Sequence, residues 1–280
     1  MAIKTILVHL DAAPRCAARV SIAARLARSF GSHLVGLAPT GRADIALSMS
    51  TAVPDGLEFI QLSARYLRGR AQASAERFRA QVEPLGLPSF EAQVVEDQPV
   101  DAVVDLGRCS DLVLVGQSEP GTLIENVERD FAQQVLMNVG RPVIVVPYAG
   151  DFASTGRRVL VAWNGGREAA VAARDALPFL QTADQIELLF VGGLEGDAGD
   201  RRNSLDDAQR WLARHGVDAR CRTASDGGDV GETLLSHAAD LGVDLVVMGA
   251  YGHSRMRQWA LGGATRSMLA HMTVPVLMAR

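Results

Sequence analysis

Asp244-Leu-Val-Val-Met-Gly249-Ala-Tyr-Gly252-His253-Ser-Arg255-Met-Arg-Gln-Trp-Ala-Leu-Gly262-Gly263 is an apolar run that breaks into glycines and leads toward a helix starting near Ala264. A strand ending this way is how an open parallel sheet presents backbone N–H groups to a phosphate. The first glycine permits a sharp turn off the strand, and the second lets a ligand approach the backbone. Gly262 and Gly263 then precede a helix N-terminus, whose unpaired N–H groups and positive dipole end favour an anion. The same glycines could serve only a tight strand-to-helix turn. A turn alone does not call for a third glycine ten residues beyond Gly252.

The chain repeats itself around this stretch. Ile6-Leu-Val-His-Leu-Asp11 is matched by Val159-Leu-Val-Ala-Trp-Asn164, 153 positions later (164 − 11). Asp111-Leu-Val-Leu-Val-Gly116 is matched by Asp244 to Gly249, 133 positions later (249 − 116). Arg141-Pro142-Val-Ile-Val-Val and Val274-Pro275-Val-Leu-Met-Ala share that offset (275 − 142). The back ends of the halves therefore align without a gap, and the first half carries about 20 extra residues in its middle (153 − 133). Tyr148 to Arg157 is short and polar enough to be the linker. Two tandem domains are expected, 1–149 with an insert near 40–70, and 156–280.

Strands are expected near 3–10, 33–38, 89–95, 111–116 and 142–147, then near 157–163, 185–191, 217–223, 244–249 and 274–279. Helical spacing falls at 14–30, 57–85 and 100–106 in the first half, and at 168–180, 204–215, 230–241 and 264–271 in the second. The strand runs are continuous in Val, Ile and Leu rather than alternating, as in strands covered on both faces. Strands alternating with helices give an α/β chain of two doubly wound domains, each with a five-stranded parallel sheet. Ligands of such sheets bind outside the carboxyl ends of the strands. Asn164, Val191 and the glycine loop all fall at such ends.

At 280 residues, 48% hydrophobic and 21% charged, the composition is that of a globular chain with a large core. A net charge of −4 gives no basis for a nucleic-acid partner. Runs such as Val143 to Val146 are too short to span a membrane. Met1 leads directly into a strand pattern without a signal-peptide arrangement, so a cytoplasmic location is expected. Cys16, Cys109 and Cys221 lack metal-ligand spacing and are expected to pack as small hydrophobes.

The residues quoted above resemble the universal stress protein family in its tandem form, from Ile3 to Met278. The resemblance implies an adenine nucleotide alpha hydrolase-like fold. It also implies pairing of the last strands of the two domains, edge to edge and antiparallel. Nucleotide-binding members carry an acidic residue after the first strand, and a loop of form Gly-two-Gly-nine-Gly followed by Ser or Thr. Gly249, Gly252 and Gly262 keep that spacing, while Asn164 replaces the acid and Gly263 stands where the hydroxyl would be. Carried onto this chain, the resemblance implies an ATP or AMP site formed by Ala162, Asn164, Val191, Gly249, Gly252, His253, Gly262, Gly263, Ala264 and Thr265, with magnesium accompanying ATP. In the first half, Glu119, Arg129 and Asp130 stand at the positions of Gly252, Gly262 and Gly263. Carboxylates there would repel a phosphate, so the first domain is expected to bind no nucleoside triphosphate.

Other roles remain open for several of these residues. Asp11 and Asn164 suit helix capping as well as ligand contact. His253 and Arg255 suit a solvated loop as well as phosphate contact, and Trp163 and Trp259 suit burial as well as stacking. No Ser–His–Asp set, general base or acidic metal cluster is legible, so catalysis is expected to amount at most to slow ATP hydrolysis. The leading expectation is a homodimeric stress-response protein that binds adenine nucleotide in its second domain. The alternative is a nucleotide-free scaffold for a protein partner or another small ligand.

Overall fold

A computed structural model of the chain describes residues 2–41, 56–118, 130–192, 198–225, 228–252 and 263–280. The expected contacts His253 and Gly262 lie outside these, as do Glu119, Arg129, Trp259 and most of the expected insert loop.

Strand and helix alternate as the periodicity predicts. The first half runs β1 (Thr5–His9), α1 (Cys16–Phe30), β2 (His33–Pro39), α2 (Gly56–Val82), β3 (Phe90–Val95), α3 (Pro99–Gly107), β4 (Leu112–Gly116), α4 (Phe131–Asn138) and β5 (Val143–Val146). The second runs β6 (Arg158–Ala162), α5 (Arg167–Asp175), α6 (Leu177–Leu180), β7 (Gln185–Val191), α7 (Ala198–Arg214), β8 (Arg220–Ala224), α8 (Val230–Asp240), β9 (Leu245–Gly249), α9 (Gly263–His271) and β10 (Val276–Ala279). Helix α4 is an addition to the expected elements. Its eight residues carry too few apolar repeats to stand out, but they fall on α9 at the 133-residue offset. The single helix expected over 168–180 is instead two, broken next to Pro178.

Contacts group the chain into two compact units, one comprising Ile3–Gly116 with Gln133–Val139, the other Gly140–Arg280 with Gln117–Ala132 and the first two residues. In the first unit all strands pair in parallel in the order β3-β2-β1-β4. Ile6, Leu7, Val8, Leu112, Val113 and Leu114 have essentially no exposure, which explains the unbroken apolar runs. The C-terminal half of α2 buries Ala71, Ser74, Ala75, Phe78 and Val82, an i, i+3, i+4, i+7 stripe. Its N-terminal half instead leaves Leu62 and Tyr66 about two-thirds exposed.

The second unit has five parallel strands in the order β10-β9-β6-β7-β8. Strand β5 adds antiparallel to β10, with Val145 opposite Val276 and Val143 opposite Met278. This is the pairing of last strands that the resemblance implies, and it leaves neither of those edges bare. Gln117 reinforces it, donating from Nε2 to the carbonyl of Leu269 and accepting from Tyr148 N.

One aspartate does the same work in each copy. Asp111 accepts from the backbone N–H groups of Lys4 and Thr5, and Asp244 from those of Gly156, Arg157 and Arg158. Each carboxylate thus ties the start of its copy's first strand to the start of the fourth. The cysteines depart from expectation: Cys109 and Cys221 are exposed and Cys16 is half-buried. Cys221 lies on β8, an edge strand whose residues are mostly exposed, so it has no core to enter.

Candidate functional site

In the second unit the strand order reverses at β6, with β7 on one side and β9 on the other. A reversal of this kind opens a crevice at the carboxyl ends of the strands. Ala162 ends β6, Gly249 ends β9 and Val191 ends β7, so three expected contacts share that end of the sheet. Beyond Ala162, Trp163 donates from its indole nitrogen to Ser204 Oγ at 3.0 Å, leaving Asn164 exposed. Gly165 turns the chain with φ of 73°, a conformation that favours glycine. That turn lets Asn164 Oδ1 accept from Gly166 N at 2.9 Å, just before α5. Asn164 thus closes a turn ahead of α5, whose N-cap is Gly166 with no side-chain bond, so the expected capping role is not the one it takes.

The glycine loop leaves β9 through Tyr251, whose φ of 56° is the one positive value at a non-glycine among the described residues. Tyr251 N donates to Thr265 Oγ1 at 3.2 Å. The link draws the start of α9 against the end of β9. Thr265 is 3% exposed, and its hydroxyl is thus engaged inside the protein. Burial, with Asp130 adding to it, pushes the Tyr251 phenol up to about 12, against the pull of Arg280. Gly263 and Ala264 form the first turn of α9. Among the described residues, a methyl group on Gly263 would meet nothing within 4 Å, and Gly263 is exposed.

Gly249 and Gly252 serve a different need. A methyl on Gly249 would come within 2.5 Å of Ala169 N and of the Glu168 carbonyl carbon, so the first turn of α5 rests directly on that glycine. A methyl on Gly252 would come within 2.6 Å of Glu168 Oε2. The Glu168 carboxylate, 20% exposed and in the favourable first turn of its helix, therefore lies over the second glycine. A helix N-terminus such as that of α9 suits an anion, whereas Gly252 faces a carboxylate. Among the described residues no cluster of three or more His, Cys, Asp or Glu could hold a metal.

The equivalent place in the first unit is filled. Arg19, 3% exposed, donates from Nε to the His9 carbonyl at 2.8 Å and from Nη2 to Asp11 Oδ2 at 2.6 Å. Its Nη1 lies within 2.3 Å of where a methyl on Gly116 would sit, and Gly116 is the counterpart of Gly249. Asp11 Oδ1 accepts from Ala13 N at 3.0 Å, the same turn that Asn164 makes. Burial favours the neutral acid, but Arg19 and then His9 outweigh it and hold the Asp11 carboxyl below its usual value. Burial pushes His9 down to about 4; Asp11 opposes this and Arg19 adds to it.

Residues 156–280 match the sequence profile of the universal stress protein family. By those residues the second half of the chain is similar to the universal stress protein family. A universal stress protein of Synechocystis sp., Slr1230, is 26% identical over 192 residues, covering 65% of this chain and 62% of that protein. The universal stress protein YxiE of Bacillus subtilis is 33% identical over 76 residues, 27% of this chain and 50% of that protein. The chain thus spans between half and two-thirds of these relatives' lengths. A crystal structure of a universal stress protein from Archaeoglobus fulgidus shares the fold over 99% of this chain and 98% of its own, with a TM-score of 0.73 at 15% identity. A putative universal stress protein from Pseudomonas aeruginosa does so over 99% and 93%, with a TM-score of 0.65 at 14% identity.

Two residues that decide the state of these sites carry no sequence motif of their own. Arg19 stands on the apolar stripe of α1 with Ala23 and Ala27, both fully buried. An arginine in that stripe signals a buried acidic partner, and its counterpart at the 153-residue offset is the buried Ala172, which carries no such group. Glu168 carries no comparable signal, because its contact with Gly252 depends on how closely α5 approaches β9.

Proposed function

We propose that the second domain, 156–280, binds adenine nucleotide at the carboxyl ends of β6 and β9, and that the first domain, 1–149, does not. The observation that carries this reading is the contrast between the copies. Arg19 fills the first cleft and engages Asp11, whereas its counterpart at the 153-residue offset is Ala172 and Asn164 at the end of β6 is exposed. Asn164 would meet the ribose, Val191 would face the base through its backbone, and Gly263 and Ala264 would donate N–H groups to a phosphate. ATP with magnesium is the proposed ligand, with nucleotide state governing a stress-response role in the cytoplasm as a homodimer. No helix among the described residues is long and apolar enough to cross a membrane.

The test is calorimetric titration of ATP with magnesium into the full chain and into Gly263→Glu. The Cβ of the substituted residue meets no described atom within 4 Å, and its carboxylate stands at the proposed anion site. One site per chain, lost in the variant, supports the reading; no heat in the unsubstituted chain at millimolar ATP rejects it. A second reading, a nucleotide-free scaffold, draws on the exposed Leu62 and Tyr66 of α2. Partner capture abolished by Leu62→Glu, in a chain that binds no ATP, would favour it.

A further inference from the structure

We propose that Glu168 is a charge filter for the second-domain site, acting on a nucleotide's phosphates and not on its adenosine. The inference rests on the adenine-nucleotide reading of that site.

Gly252 is where the glycine loop would let a phosphate approach the backbone, and the space its missing side chain leaves is taken by Glu168 Oε2. A phosphate seated against Gly252 would therefore stand next to a carboxylate. The two anions repel, the more so in a partly buried site where water screens them less. Arg167 offers little relief, since its Nε lies 3.6 Å from Glu168 Oε1 and its side chain is 77% exposed. The adenosine end of the crevice, at Ala162, Asn164 and Val191, follows β6 and β7, whereas Gly252 follows β9. The filter thus penalises each phosphate brought toward Gly252 while leaving the nucleoside contacts alone. It makes the site favour ligands with few phosphates when no divalent cation screens them. The counterpart of Glu168 at the 153-residue offset is Arg15, so this charge belongs to the second copy alone.

The test is calorimetric titration of the full chain and of Glu168→Gln with adenosine, ATP and inorganic tripolyphosphate in magnesium-free buffer. Glutamine keeps the shape of the side chain and removes its charge. The variant is expected to bind ATP and tripolyphosphate at least about tenfold more tightly, with adenosine changed by less than about twofold. Glu168→Asp, which withdraws the carboxylate by one methylene, is expected to fall between. An equal gain for adenosine, or no gain for ATP or tripolyphosphate, overturns the filter. Failure of adenosine and ATP to bind either protein would instead remove the adenine reading. The tripolyphosphate titrations would then decide for or against Glu168 on their own.

Discussion

Replacing Arg19 with alanine tests whether the first cleft is held shut by one internal ion pair. The guanidinium is 3% exposed and makes two short contacts, 2.8 Å to the His9 carbonyl and 2.6 Å to Asp11 Oδ2. Removing one partner of a buried pair leaves an uncompensated charge and costs about 3–5 kcal/mol. Asp11 keeps 28% of its side chain in water, which eases that penalty, so the expected loss is about 3 kcal/mol, the lower end of the range. Arg19→Met, which retains the apolar stem, separates lost packing from lost charge. In a cycle with Asp11→Asn, the pair should show a coupling of about 2 kcal/mol. Urea unfolding followed by far-ultraviolet circular dichroism supplies these values, and proton NMR should find His9 titrating above its present value of about 4 in Arg19→Ala. A loss under about 1 kcal/mol with no coupling to Asp11→Asn would refute the reasoning, because a pair buried this deeply cannot be worth so little unless the cleft is already wet.

The same cluster sets a pH dependence. His9 has a folded pKa of about 4 against 6.5, so the unfolded chain takes the proton first. Stability should therefore fall as pH drops from 6.5 to 4, by up to about 3 kcal/mol. Asp11, held below its usual value, adds a further loss only below about pH 4. Urea melts across pH 4–7 check this, and His9→Gln should flatten the upper part of the curve. Gly249→Ala should destabilise by about 1–3 kcal/mol, because its methyl would strike the backbone of α5. Gly263→Ala, whose methyl meets nothing within 4 Å among the described residues, should be neutral or stabilising by up to about 1 kcal/mol in thermal unfolding. Asp244→Ala, which strips an acceptor from three N–H groups, should cost more than Asp111→Ala, which strips it from two, each by at least about 1.5 kcal/mol.

Much of this protein is legible one residue at a time. The unbroken runs of Val, Ile and Leu mark strands buried on both faces, and the offsets of 153 and 133 residues reveal a duplicated unit. Those offsets even carry α4, which its own eight residues do not announce. Asn164, Gly249 and Gly263 were assignable to one end of the sheet because a strand's carboxyl end is a local property of the pattern. By itself, then, the sequence determined the fold class, the repeat and the end of each sheet where a ligand would lie. Only the tertiary structure decided what stands in those places. Arg19 reaches from α1 to Asp11 and on to Gly116, and Glu168 covers Gly252, so both depend on how one helix packs against a strand distant in the chain. The reason is physical: periodicity reports which face of an element is buried, whereas the reach of a long side chain into a cleft depends on the distance between two packed elements.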